Sequence, residues 1–403
     1  MMDVAVIGWI CIAFLVALSP RLLKHASVQP ALPGEGGRSL SIVLAVHNEV
    51  SRIGPCLQSI LRQDHPTFEV IVVDDRSSDG TFDEARKWST VDHRVRALRI
   101  DAMPPGWQGR LYAQSIGVSH AVGEWLLFLS ADQRLATPQF LRAMVAEYER
   151  RGAQAVSVIG RFVGSRWWER WWLHPMVNNP ILWGPILLFQ RLRRSSVWLI
   201  GALAMRRSTY FAVGGAYAAA ICGAGAYDDF GWSRAFSLRH ARTAIVYHPA
   251  LEDHSNWETF SEFWHGVTRW AAGLFTYRSR GWVTAALCAA VILASILGTV
   301  RFVLVVGRLQ FPDLDTIALA SIAPTIGYGY CRWDHRRVAI AGFTCLAGFL
   351  VLAVLAGAAW SRVQNRIRWR AQELQIVADL PSQTTTDSKE SSQGQKNTSS
   401  ERQ

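Results

Sequence analysis

Hydrophobic and polar positions give this chain two textures. In the first, short apolar runs end in polar or acidic residues: SIVLAV at Ser41–Val46, VIVVDD at Val70–Asp75 and WLLFLSAD at Trp125–Asp132. Runs of this length, rich in β-branched residues and bounded by turn-forming residues, are the pattern of strands buried on both faces. The segment between the first two reads as a helix, so the chain opens on a β-α-β unit of an α/β fold. Three strands would then deliver polar side chains at their carboxyl ends, where open α/β sheets hold ligands.

The second texture is longer and more uniformly apolar. Val4–Leu18 (VAVIGWICIAFLVAL) followed by Arg21, Lys24 and His25 predicts an N-terminal membrane anchor within residues 1–25, and the Met-Met-Asp start argues against a cleaved signal peptide. Trp282–Val306, Leu314–Tyr330 and Val338–Trp360 predict C-terminal transmembrane helices within 282–360. The basic link Cys331–Arg337 and the basic exit of the anchor put the globular region, residues 38–275, on the cytoplasmic side of an inner membrane. Three C-terminal crossings would leave the basic stretch Arg362–Arg370 outside, against the same rule, so one apolar run is expected to be re-entrant or interfacial. The Ser/Thr/Gln-rich tail 381–403 is expected to be disordered.

Composition narrows the class of protein. Half of the 403 residues are apolar, 18% are charged, and there are 18 Trp and 17 Phe, which excludes a wholly disordered chain. The net charge of +11 implies an anionic partner: nucleic acid, a phosphate-bearing small molecule or an acidic bilayer. With no basic-aromatic single-strand platform and no recognition helix, no nucleic-acid partner is expected. The six cysteines contain no C-x-x-C pair, so free thiols and no zinc site are expected.

The chemistry-bearing segments follow one another in order. VIVVDDRSSDGT (Val70–Thr81) runs a strand into adjacent carboxylates, Asp74 and Asp75; the structural alternative is an Asp-rich turn capping a helix. AVHNEVSRI carries His47 and Glu49 at the end of the first strand; the structural alternative is Asn48 as a helix N-cap. PPGWQGRLYAQSIG carries Arg110, LLFLSADQ carries Asp132, AYDDFGWSRAF carries Asp228 and Asp229, and FWHGVTRW carries Arg269 and Trp270.

Taken in that order, these segments resemble family 2 glycosyltransferases of the GT-A (Rossmann-like) fold, and within them the hopene-associated and carotenoid-modifying membrane enzymes. The resemblance implies a nucleotide diphosphate sugar as donor, a lipid-like hydroxyl as acceptor, and Mg²⁺ or Mn²⁺ as cofactor. It assigns donor contacts to His47, Glu49, Asp74, Asp75 and Arg110. It assigns the metal to Asp132, the catalytic base to Asp229 with Asp228 second, and acceptor or leaving-group contacts to Arg269 and Trp270. A base is needed because an acceptor hydroxyl titrates far above neutrality.

Three departures stand out: Ser130 replaces the first carboxylate of the family's Asp-x-Asp, Arg110 its lysine, and Gly266 the glutamine of its Q-x-x-R-W element. The incomplete element favours a single transfer over chain elongation. A membrane scaffold that retains the fold, and a polyprenyl-phosphate glycosyltransferase, are the alternatives. RWWERWW (Arg166–Trp172) reads either as an in-plane helix at a lipid surface or as a buried aromatic helix.

Overall fold

The computed structural model describes residues 18, 24, 26–164, 166–169, 201–222, 228–255, 257–272, 278–308, 310–322, 344–364, 366–369 and 372–375. Strand β1 (Leu40–Val46), helix α1 (Val50–Leu61) and strand β2 (Phe68–Asp75) form the expected opening unit. Helix α2 (Thr81–Val91), β3 (Val95–Ile100), α3 (Gly109–Ser119), β4 (Trp125–Leu129), β5 (Gln133–Leu135), α4 (Phe140–Arg151) and β6 (Ala155–Val163) follow. Beyond them come β7 (Ala202–Arg206), α5 (Arg207–Ala212), α6 (Gly215–Cys222), α7 (Asp228–Leu238), β8 (Thr243–His254) and α8 (Phe260–Ala272).

These strands make one sheet in the order β3-β2-β1-β4-β7-β6-β8-β5. The first four are parallel, and β7 pairs antiparallel to β4. The carboxyl ends of β1, β2 and β4 therefore line one edge, and the start of β7 meets them there.

Alternation along the strands builds a core on each face. Leu40, Ile42, Leu44 and Val46 of β1 with Val70 and Val72 of β2 pack against α1 and α4. Val43, Ile71 and Val73 with Leu126 and Phe128 of β4 pack toward α3, α6 and α7. Helix α1 offers Ile53, Cys56, Leu57 and Ile60 to its side, the spacing of one helical stripe. Helix α4 ends on Gly152 in the left-handed conformation (φ 55°), behind Arg150 and Arg151 in its last turn.

Helices α9 (Arg278–Gly307) and α10 (Thr344–Val363) follow, with the hairpin β9 (Arg366–Trp369) and β10 (Gln372–Gln375). Among the described residues, no helix is long and apolar enough to cross a membrane. Part of the apolar sequence here is used in protein packing: Val354 of α10 joins a cluster with Phe162, Phe263 and Val267, and Gly357 lies against Thr268 and Trp264 of α8. Helix α9 instead leaves Leu293, Leu297, Val300 and Leu304 exposed at helical spacing, and Arg301 pairs with Asp313 at 2.5 Å. Residues 1–17, most of the expected anchor, lie outside the described residues, as do 323–343 and the tail 381–403.

Candidate active site

At the β2 end, alternation separates the two adjacent carboxylates. Asp74 is fully buried and belongs to the turn, its Oδ2 accepting from the backbone N–H of Ser77 at 3.2 Å. Asp75 points the other way. Its Oδ1 accepts from Arg76 Nε at 2.8 Å, and its Oδ2 lies where a Cβ on Gly109 would stand, at the N-terminus of α3. The third acid of the segment is a structural residue: Asp79 Oδ1 accepts from the Thr81 N–H at 3.0 Å and its Oδ2 from the Val50 N–H at 3.1 Å, capping α2 and α1 together.

The β1 end is latched to this turn. The His47 Nδ1 lies 2.6 Å from the Asp75 carbonyl oxygen. Asn48 adopts φ 55°, donates its N–H to Ser77 Oγ and accepts the Ser78 N–H on Oδ1, both at 2.9 Å. It is therefore a loop clasp; the N-cap of α1 is Glu49. Glu49 donates its N–H to Thr81 Oγ1 at 2.7 Å and pairs with Arg52 at 2.7 Å.

Arg110, in the first turn of α3, occupies the middle of the edge. Its Nη2 donates to Ser130 Oγ at 2.8 Å, and its Nε lies 3.2 Å from Asp228 Oδ2. The carboxylate of Asp228 foremost, with Asp229, Asp132 and Glu49, holds the guanidinium protonated against the cost of its burial. Asp228 and Asp229 form the first turn of α7 and share a pocket with Arg110, Gln114, Gly201 and Trp232. Burial first, and then the neighbouring Asp228 charge, push the Asp229 carboxyl up to about 7, while Arg110 and Arg269 oppose the rise. The structure thus brings Arg269 of α8 within electrostatic reach of the acid pair. The side chain of Trp270 lies outside the described residues.

Asp132 sits just past β4, where burial and then the Glu49 charge push its carboxyl up to about 6, with Arg110 opposing. A divalent cation needs several hard oxygen donors. Asp132 offers one carboxylate, Ser130 Oγ is engaged by Arg110, and among the described residues no group of three His, Cys, Asp or Glu could hold a metal ion. The donor set does not fit an ion held by the protein itself. It suits at most one that arrives on a diphosphate and touches the chain at Asp132.

Asp253 was not legible as part of this region. Antiparallel pairing of β5 with β8 sets it opposite Gln133, whose Nε2 donates to its Oδ1 at 2.6 Å. Burial pushes its carboxyl up to about 7, against the Gln133 hydrogen bond and with the help of the Asp132 charge. An unfolded aspartate titrates near 3.9, so between pH ~4 and ~7 the folded state holds the extra proton and stability falls as pH rises. Asp253→Asn is therefore expected to stabilise the protein at pH 8, by on the order of 1–2 kcal/mol, with the gain vanishing as pH is lowered toward 4. Thermal melts across that range check it; a gain independent of pH would refute the assignment.

The departure at Gly266 has a packing cause. A Cβ there would lie 2.4 Å from the Trp257 Nε1, so the indole fills the space a longer side chain would need. Within RWWERWW the two readings divide residue by residue: Trp168 packs against the Phe162–Phe263 cluster, whereas Trp167 is 56% exposed and stacks on Phe260 with ring centroids 6.2 Å apart. Residues 170–172 lie outside the described residues.

Residues 41–212 match the family described as Glycosyl transferase family 2, and the chain carries a domain of that family with a GT-A-like α/β arrangement. A 4,4'-diaponeurosporenoate glycosyltransferase of Staphylococcus haemolyticus is 33% identical over 118 residues, covering 29% of this chain and 30% of the relative. The glycosyltransferase AglE of Haloferax volcanii is 35% identical over 95 residues, covering 23% of this chain and 30% of the relative. The chain thus spans about 30% of the length of these curated relatives. Among solved structures, the mannosyltransferase PcManGT from Pyrobaculum calidifontis, in complex with GDP-Man and Mn²⁺, aligns with a TM-score of 0.49 and 19% identity over 89% of this chain and 98% of its own.

Proposed function

We propose that this chain, a family 2 glycosyltransferase through its residues 41–212, moves a sugar from a nucleoside diphosphate sugar to the hydroxyl of a lipid-like acceptor with inversion at the anomeric carbon. The observation that carries the proposal is the convergence of Arg110, Asp228 and Asp229 in one pocket beside the strand ends that present Asp75 and Asp132. Asp75, with the His47 and Glu49 loop beside it, receives the base and ribose, and Arg110 receives the diphosphate. Asp229 takes the acceptor proton as the hydroxyl oxygen attacks the anomeric carbon, and the bond from that carbon to the diphosphate oxygen breaks with its electron pair on the leaving nucleotide. Arg269 keeps positive charge near that site.

A carboxylate pushed up to about 7 suits a hydroxyl acceptor. A phosphate acceptor is already ionised and needs no base, which favours the hydroxyl over a polyprenyl phosphate. A lipid-like acceptor also accords with the exposed apolar stripe of α9 and the exposed face of Trp167. On this reading the globular region 38–275 works at the cytoplasmic face of an inner membrane, where residues 1–25 and the apolar segments of 282–360 hold it.

Incubating the purified full chain with labelled UDP- and GDP-sugars and a bacterial lipid extract tests the proposal. Label entering an alkali-stable lipid, with release of the nucleoside diphosphate, is expected. Label appearing only in polyprenyl phosphate would reassign the acceptor, and neither hydrolysis nor transfer of any donor would reject the activity.

A further inference from the structure

Two of the three departures from the family pattern meet in one contact. Ser130 stands at the position of a metal-binding carboxylate and Arg110 at that of a lysine, and the Arg110 Nη2 donates to Ser130 Oγ at 2.8 Å. An aspartate at 130 and a divalent ion would compete with a guanidinium for this place; a serine hydroxyl accepts its hydrogen bond without adding charge. The Nε of the same guanidinium lies 3.2 Å from Asp228, so the side chain is fixed at two points. The side chain is half-buried, 39% exposed, so part of it stays accessible to an incoming ligand. A planar guanidinium can meet two phosphate oxygens at once and keeps its charge throughout the working pH range.

The surroundings make a fixed cation necessary. The carboxylates of Asp228, Asp229, Asp132 and Glu49 all act on Arg110, and a diphosphate would bring further negative charge among them. Asp132 is the one carboxylate of the family's metal pair that remains.

We infer that Arg110, oriented by Ser130, is the resident cation of the donor site, supplying the diphosphate neutralisation that a metal ion would otherwise give, so that nucleoside diphosphate binding persists without divalent ions. The inference rests on the donor site proposed above. It makes Ser130 and Arg110 a matched pair: each replacement is harmless only in the presence of the other.

The test is calorimetric titration of the detergent-solubilised full chain with UDP and GDP, in EDTA and in Mn²⁺. One of the two nucleotides is expected to bind in EDTA with a Kd within about threefold of its value in Mn²⁺. Arg110→Ala should weaken binding in EDTA by at least about tenfold, the loss of a charge-assisted contact, and Ser130→Ala by a smaller factor. The paired change Ser130→Asp with Arg110→Lys should create metal dependence, with Mn²⁺ improving Kd about tenfold or more. Thermal melts of each variant separate lost binding from lost folding, and the comparison on the parent chain stands even if Arg110→Ala does not fold. Parent binding that disappears in EDTA and returns with Mn²⁺ would overturn the inference while leaving the donor site intact. Binding of neither nucleotide under any condition would overturn the donor site as well.

Discussion

Asp229→Asn is expected to reduce sugar transfer by about 10²–10⁴-fold, the range typical for loss of a general base, while nucleoside diphosphate affinity stays within about threefold of the parent. The asymmetry follows from position. Asp229 lies in the first turn of α7, apart from the β2 end where Asp75 would read the base, and the residue proposed to meet the diphosphate is Arg110. The same carboxyl governs the pH profile. Burial and the Asp228 charge lift it to about 7, so the base is ionised only above that value. Transfer should therefore rise through neutrality and level off on the alkaline side, the limb belonging to the Asp228–Asp229 pair rather than to one group. Asp228→Asn removes the like charge that helps hold the Asp229 carboxyl up and should move the limb to lower pH. Initial rates from pH 5 to 9 for the three proteins decide the matter. Transfer by Asp229→Asn at the parent rate would remove Asp229 from the reaction.

How far the sequence discloses such a site depends on whether each residue acts through its neighbours in the chain or through residues far away. Strands buried on both faces are continuous apolar runs, so β1, β2 and β4 were legible, and with them the edge where their polar ends gather. Asp74 and Asp75 look equivalent as an acidic pair, yet a strand turns consecutive side chains to opposite faces, and only Asp75 reaches the N-terminus of α3. Asp79 caps two helices whose starts are brought together only by the fold. Asp253 reached the neighbourhood of Asp132 through the antiparallel β5–β8 pairing, for which the three-residue β5 gives almost no periodic signal. The glycine at 266 reads as a broken motif until Trp257 is seen filling the space. Helices α9 and α10 fall in C-terminal segments legible as apolar, but apolarity alone does not tell packing against protein from packing against lipid. Val354 and Gly357 of α10 face α8, whereas the α9 stripe has no such cover among the described residues.

Gly109→Ala separates folding from donor recognition with a single methyl group. A Cβ at 109 would lie 2.0 Å from Asp75 Oδ2 and 3.2 Å from its Cγ, a distance at which one of the two groups must move. The backbone of α3 is held by Leu111, Ala113 and Val118 in the core, whereas the Asp75 carboxylate is the free end of a short side chain tied to Arg76. The carboxylate is therefore the group that yields, and alanine is in itself a better helix residue than glycine. The melting temperature should change by only a few degrees, as for a substitution of about 1 kcal/mol or less. Nucleoside diphosphate affinity should fall by about 10–100-fold, the loss expected when a hydrogen bond to a charged group is misplaced by more than an ångström. A nucleoside monophosphate should lose affinity by the same factor, because the contact proposed for Asp75 is to the base, whereas Arg110→Ala should penalise the diphosphate selectively. Parallel titrations of both nucleotides against both variants make the distinction. Equal and full affinity in Gly109→Ala would mean that Asp75 is bound to Arg76 for structural reasons and does not read the base.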